Sequence, residues 1–154
     1  MKERPFLLPP AERPLQVILT DAWQLGDVLA CLLAHVGLAS VAVSTFSTGE
    51  EFLRRLARLR QEGMVTDATL YLDHKAAEKT ARVLPMVRRA FDGVRFCAIH
   101  AKVMVLRGQG GAASVLTSQN QTRGNRMESY VVIDGADMAD ELMAGLAAIP
   151  SSEL

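Results

Sequence analysis

The chain has 154 residues, 49% hydrophobic and 22% charged, proportions of one ordinary folded domain rather than of a disordered segment. Seventeen Lys and Arg offset seventeen Asp and Glu, which excludes binding to nucleic acid by bulk charge alone. The longest apolar run, residues 28–34, is too short to cross a bilayer, and Pro5, Pro9, Pro10 and Pro14 interrupt any signal-peptide core. Cys31 and Cys97 cannot build a disulfide framework and lack the paired spacing of a zinc site. The expectation is a cytoplasmic domain off the membrane, with no metal and no cofactor.

Residues 1–14 read as an irregular, proline-rich segment ahead of a single domain over residues 15–150. Residues 15–19 (LQVIL) predict a short strand, apolar enough for burial on both faces. Asp21 is a candidate cap for a helix over residues 23–35 that stops at Gly37, with Trp23 in the core and His35 favoured by the helix C-terminus. Residues 41–46 (VAVSTF) have strand composition. Thr48 and Glu51 have the spacing of a capping box, and Phe52, Leu53, Leu56 and Leu59 then repeat at helical spacing up to Gly63. Arg54, Arg55, Arg58 and Arg60 fall on the other faces of that helix, where solvation is a better reading than contact with DNA.

A third strand over residues 68–72 leads into Asp73, His74 and Lys75, read as a helix start capped by Asp73. Residues 76–91 look helical, with Pro85 expected to kink or split them. Residues 94–99 predict a fourth strand, in which Cys97 faces the core. Residues 102–106 and 112–116 flank the turn signal Gly108-Gln109-Gly110-Gly111 and predict a hairpin. A polar loop over residues 118–126, a strand over 130–133 and an amphipathic helix from 134 to 146 complete the chain. Strands alternating with helices, followed by a run of strands, predict an α/β fold with a mixed sheet covered by helices.

The chemistry lies in His100-Ala101-Lys102, then Ser118 and Asn120, then Glu128. Residues two apart on a strand share a face, so His100 and Lys102 present an imidazole beside an ammonium. A returning hairpin strand would bring Ser118 and Asn120 alongside. Such a set suits a phosphate, with cation and polar donors on its oxygens while imidazole attacks phosphorus.

This pattern resembles the phospholipase D superfamily, whose signature is His-x-Lys, four residues and Asp, then Gly-Ser-x-Asn, with a Glu further on. It is most similar to the small bacterial endonucleases that carry one such motif per chain. The resemblance implies a phospholipase D-like fold, a mixed β-sheet flanked by helices on both faces. It implies that His100 forms a phosphohistidine, that Lys102 and Asn120 bind the phosphoryl oxygens, that Ser118 supports them and that Glu128 orients the imidazole. No metal enters that scheme. Arg107 stands where the family has aspartate and Thr117 where it has glycine, and the hairpin is longer than the family's.

Three histidines are present and only His100 stands in His-x-Lys, whereas the family mechanism uses two such motifs. The resemblance therefore implies a homodimer with one shared site. From His100 to Glu128 four basic residues, Lys102, Arg107, Arg123 and Arg126, face one acidic residue, which favours a polyanionic substrate. Arg107, Arg123 and Arg126, with His74 at the end of the third strand, are the expected substrate-binding residues. Nucleic acid is the expected partner, DNA ahead of RNA. The alternatives are a non-catalytic nucleic-acid-binding or assembly module, and a phosphodiesterase acting on lipid or small diesters.

Overall fold

Each predicted strand forms, and all of them join one sheet. The computed structural model describes residues 7–122 and 125–153. In chain order it contains β1 (Leu15–Thr20), α1 (Leu25–Val36), β2 (Ala39–Thr45), α2 (Glu50–Gln61) and β3 (Val65–Asp73). A 3-10 turn (His74–Ala76), α3 (Ala77–Ala81), α4 (Leu84–Ala90) and β4 (Gly93–Cys97) follow. The chain ends with β5 (Lys102–Gly108), β6 (Gly111–Thr117), β7 (Glu128–Asp134), α5 (Ala136–Ala147) and β8 (Ser151–Glu153). The sheet order is β1-β7-β6-β5-β2-β3-β4-β8. Parallel pairing joins β2, β3 and β4, and every other pair is antiparallel.

Side-chain alternation on β5 divides the core. Met104 and Leu106 join the large cluster that contains the buried faces of α1 (Val28, Leu29, Leu32) and α2 (Phe52, Leu53, Leu56). Val103 and Val105 point the other way and cluster with Ala112 and with Ala139 of α5. The hairpin forms as predicted, with Lys102 opposite Thr117 and Gly108 opposite Gly111. Gly108 must be glycine, because a Cβ there would stand 2.2 Å from the Val36 carbonyl oxygen at the end of α1.

Several local expectations are corrected. Asp21 caps nothing: α1 starts at Leu25 behind Gln24, and Trp23 lies before the helix, its ring 6.0 Å from that of Tyr130. The Thr48 and Glu51 capping box does not form, since α2 begins after Gly49 and the buried Thr48 hydroxyl donates to Gln121 Oε1 at 2.8 Å. Tertiary partners outcompete local caps when the hydroxyl is buried. Pro85 splits residues 76–91 and sits in the first turn of α4, where its missing N–H costs nothing. β8 has no apolar pattern to predict it; it pairs with the edge of β4, with Arg95 3.3 Å from Glu153.

The described part of the proline-rich segment is held against the domain. Leu7 is buried, its carbonyl accepts from His35 Nε2 at 3.1 Å, and the Gln16 amide makes two 3.0 Å bonds with the Leu8 backbone. Arg60 is not a freely solvated residue. It donates to the Ala90 carbonyl at 2.8 Å and to Asp92 at 2.6 Å, while Asp92 also accepts from the Ala68 N–H at 2.8 Å. No helix among the described residues is long and apolar enough to cross a membrane.

Candidate active site

The carboxyl ends of the parallel strands β2, β3 and β4 lie at one edge of the sheet, the edge where open α/β sheets place ligands. The antiparallel pairing of β5 with β2 brings the start of β5, and hence Lys102, to that same edge. β6 ends there at Thr117, opposite Lys102, and β7 starts there at Glu128. Four strand ends thus gather the residues that the sequence spreads from 44 to 128.

His100 lies in the connection between β4 and β5, exposed, with Lys102 Nζ 3.2 Å from its Nδ1. An ammonium has only donors, so Nδ1 is the acceptor and the ring carries its proton on Nε2. The Phe46 ring lies 5.3 Å from the imidazole, centre to centre. The backbone on either side is tied down. Ser44 Oγ donates to the Ala101 carbonyl at 2.9 Å and accepts from the Val103 N–H at 3.1 Å.

Asp73 secures the other side. Its carboxylate accepts from the Lys75 N–H at 2.8 Å, as the predicted cap, and from the Ile99 N–H at 3.0 Å, immediately before His100. Burial pushes the Asp73 carboxyl up. The two N–H donors, with the nearby His74 and Lys75, outweigh that and hold its pKa below the ordinary value. His74 Nδ1 lies 3.1 Å from the Cys97 carbonyl, which therefore accepts the ring's proton. Cys97 is buried as expected, and burial, then the Asp73 charge, raises its thiol pKa.

Asn120 lies past the end of β6 in the loop, not on the strand. Its Oδ1 accepts from the Phe46 N–H at 3.3 Å and stands 3.2 Å from the Thr45 hydroxyl. With the oxygen so held, the amide's two donors are on Nδ2. Ser118 is fully engaged: it accepts from the Ser129 N–H at 3.0 Å and donates to Glu128. Glu128 in this chain thus bonds Ser118, while the contact to the His100 ring nitrogen comes from Lys102.

Arg107 is not brought to this edge. It lies five residues along β5, about 17 Å from Lys102 at strand rise, and pairs with Asp140 of α5. An odd separation also puts it on the other face of the sheet. Arg126 is exposed in the loop before β7, and His74 is exposed at the end of β3. Arg123 lies outside the described residues. Among the described residues no three His, Cys, Asp or Glu side chains gather as a metal site.

Sequence reasoning missed Ser44, Thr45 and Phe46, the end of β2 that supports both the histidine segment and Asn120. The available signal was a Ser-Thr pair closing an otherwise apolar strand; both are completely buried, and such groups need partners. It also missed the network behind the loop. There the buried Gln119 accepts from the Tyr130 hydroxyl and donates to Gln24 Oε1 at 3.3 Å. Burial, then the charges of Glu128 and Asp27, raises the Tyr130 pKa, so the phenol remains a donor.

No protein-family model matches the chain, and no curated protein matches it in sequence. Among solved structures it is similar to a polyphosphate kinase from Porphyromonas gingivalis, with a TM-score of 0.66 at 14% identity over 90% of this chain. It is also similar to TrmBL2, an archaeal chromatin protein, with a TM-score of 0.56 at 8% identity over 88% of this chain. This chain spans 27% of the kinase's length and 51% of the chromatin protein's. At these identities the likeness concerns the fold alone: a single α/β domain on an eight-stranded mixed sheet.

Proposed function

We propose that the chain is a phosphodiesterase of phospholipase D type, with helices on both faces of its sheet, that hydrolyses nucleic acid through a phosphohistidine in a homodimer. The observation that carries this reading is the Lys102 ammonium 3.2 Å from the His100 imidazole, beside an asparagine whose oxygen is held by the Phe46 N–H. Likeness in fold to a polyphosphate kinase is compatible with phosphoryl chemistry.

An incoming phosphodiester draws the Lys102 ammonium onto a nonbridging oxygen and off Nδ1. Nδ1 is then free to take the ring proton, and Nε2 gains the lone pair that attacks. The Nε2–P bond forms, a P–O bond breaks, and the leaving oxygen takes a proton from the partner's His100, which enters the step as the imidazolium and is left neutral. Water then attacks phosphorus, gives a proton back to that ring and displaces His100. Lys102 and the Asn120 Nδ2 donors stabilise the charge on the phosphoryl oxygens in both steps.

A second copy supplies the second imidazole, and one face of the sheet is suited to receive it. Leu15, Val17 and Leu19 of β1 are 58%, 67% and 71% exposed on one face of this edge strand, and Met127 is 64% exposed just before β7. With Leu116 they offer on the order of 500 Å² of apolar surface, at the upper end of what monomers leave in water and over half a standard interface per partner. By strand register these residues share the face of Val103, opposite that of Lys102, and it is the Leu19 end that approaches the site, where Leu19 pairs with Ser129 next to Glu128.

The test is a cleavage panel on DNA, RNA and a generic phosphodiester, with and without chelator, using wild type and His100→Ala. Chelator-resistant cleavage that disappears in His100→Ala is the expected result. An active His100→Ala, or activity lost to chelator, overturns the assignment. TrmBL2, described by its DNA binding, favours one second reading, a nucleic-acid-binding module without catalysis. That reading expects salt-sensitive binding without cleavage, indifferent to His100→Ala.

A further inference from the structure

A cavity of about 270 Å³ lies beside the candidate active site, between the start of α1, the arginine-bearing face of α2 and the loop of residues 120–122. Asn120 lines it, so it opens from the same loop that carries a proposed phosphate ligand. Its floor includes Leu25 and Phe52, and Arg54, Arg55 and Arg58 stand around it. Among the described residues these arginines make solvent-exposed ion pairs, with Glu50 at 3.4 Å, Asp27 at 3.8 Å and Glu62 at 3.2 Å respectively. Such pairs are worth little and are readily exchanged for another anion.

The lining offers donors from a helix start and from one buried side chain. The first residues of α1, Leu25 and Gly26, have backbone N–H groups that no helix can satisfy internally. Gln121 is 2% exposed; its Oε1 accepts from Thr48, but its Nε2 donor is buried without a partner among the described residues. Buried donors are rarely left unmet. Gly26 keeps the wall open to Arg55, whose Cγ would be 3.1 Å from a Cβ placed there. Asp27 and Glu51 also line the cavity, so three cations face two anions.

We infer that this cavity is a subsite for a phosphodiester of the nucleic-acid strand other than the one cleaved. The α2 arginines, the start of α1 and Gln121 Nε2 supply the donors that its oxygens accept. The volume is below the roughly 300–1,000 Å³ of self-contained small-molecule pockets, which suits one unit of a longer ligand. The inference rests on the reading of the chain as a nucleic-acid phosphodiesterase and adds how the strand is held.

The experiment measures binding of a single-stranded oligonucleotide to the full chain across a salt series, independently of cleavage. Arg55→Ala with Arg58→Ala is compared with wild type and with Arg82→Ala, an exposed arginine outside the cavity. The double variant is expected to bind about tenfold more weakly, with a salt slope smaller by about 0.7 for each phosphate it no longer neutralises. Arg82→Ala is expected to bind as wild type does. Gln121→Glu, which keeps an acceptor for Thr48 but replaces the free donor by a carboxylate, should weaken binding as well. Binding by the double variant within twofold of wild type, with the same salt slope, overturns the subsite even if cleavage is seen. So does the absence of oligonucleotide binding by wild type. Arginine-dependent binding without cleavage leaves the subsite standing and removes the nuclease reading instead.

Discussion

Asp73 joins stability to the placement of His100, the proposed nucleophile, and Asp73→Ala separates the terms. Asp73 is 6% exposed, and its carboxylate accepts two backbone N–H groups, from Lys75 at 2.8 Å and Ile99 at 3.0 Å. Losing the cap costs about 1 kcal/mol. The Ile99 N–H, in a buried residue, loses its acceptor, for a further 1–3 kcal/mol or so. Asp73→Ala should therefore lower the unfolding free energy by about 2–4 kcal/mol. Asp73→Asn keeps one acceptor oxygen and should cost roughly half as much.

The folded-state pKa of Asp73 lies below its ordinary value, because two N–H donors and the charges of His74 and Lys75 outweigh burial. A carboxyl so depressed contributes stability that is fully present above an unfolded pKa near ~3.9 and is lost as pH falls through the folded value. The gap between wild type and Asp73→Asn should thus be widest near neutrality and narrow below about pH 4. Urea unfolding followed by circular dichroism over that range measures both quantities. Because Ile99 precedes His100, the same variants should lower kcat more than they raise KM, with Asp73→Asn partly restoring it. An Asp73→Ala protein within about 0.5 kcal/mol of wild type, with an unaltered acid limb, refutes the reasoning.

Two glycines should respond in opposite directions in thermal unfolding. Gly108→Ala forces a Cβ to 2.2 Å from the Val36 carbonyl oxygen and should destabilise by at least about 2 kcal/mol, whereas Gly145→Ala in α5 meets nothing within 4 Å and should stabilise by about 0.5–1 kcal/mol. Arg60→Ala removes donors to Ala90 and to Asp92 and should cost about 1–2 kcal/mol by urea titration, discounted for the half-exposed carboxylate. Val17→Asp puts a charge on the exposed face of β1, so sedimentation should show a dimer turned monomer, with cleavage lost and the fold retained; an active monomer would sink the shared-site proposal.

Much of the architecture is legible from short-range pattern. Strand composition places β1 to β7, helical spacing the apolar face of α2, and Pro85 the break before α4, although β1, read as buried, is an edge strand with Leu15, Val17 and Leu19 exposed. The spacing in His100-Ala101-Lys102 puts an ammonium beside an imidazole, and they are 3.2 Å apart. What local pattern leaves out shares a feature. Thr48 has the look of a local cap and bonds Gln121, 73 residues away; Asp73 is a cap and also holds Ile99; Arg107 looks available to substrate and pairs with Asp140. β8 has no signal because it is three polar residues long, and its pairing with the edge of β4 uses backbone groups and the Arg95–Glu153 ion pair.

Covalent geometry and side-chain chemistry act within a few residues, so the sequence alone determined the strands β1 to β7, the buried face of α2 and the spacing that sets Lys102 beside His100. Only the tertiary structure decided which groups meet: that the end of β2 holds both His100's segment and Asn120, that Glu128 engages Ser118, and that an arginine-lined cavity adjoins the site. The physical reason is that buried polar groups take whichever partner the packed sheet brings within reach, and that partner can be scores of residues distant in the chain.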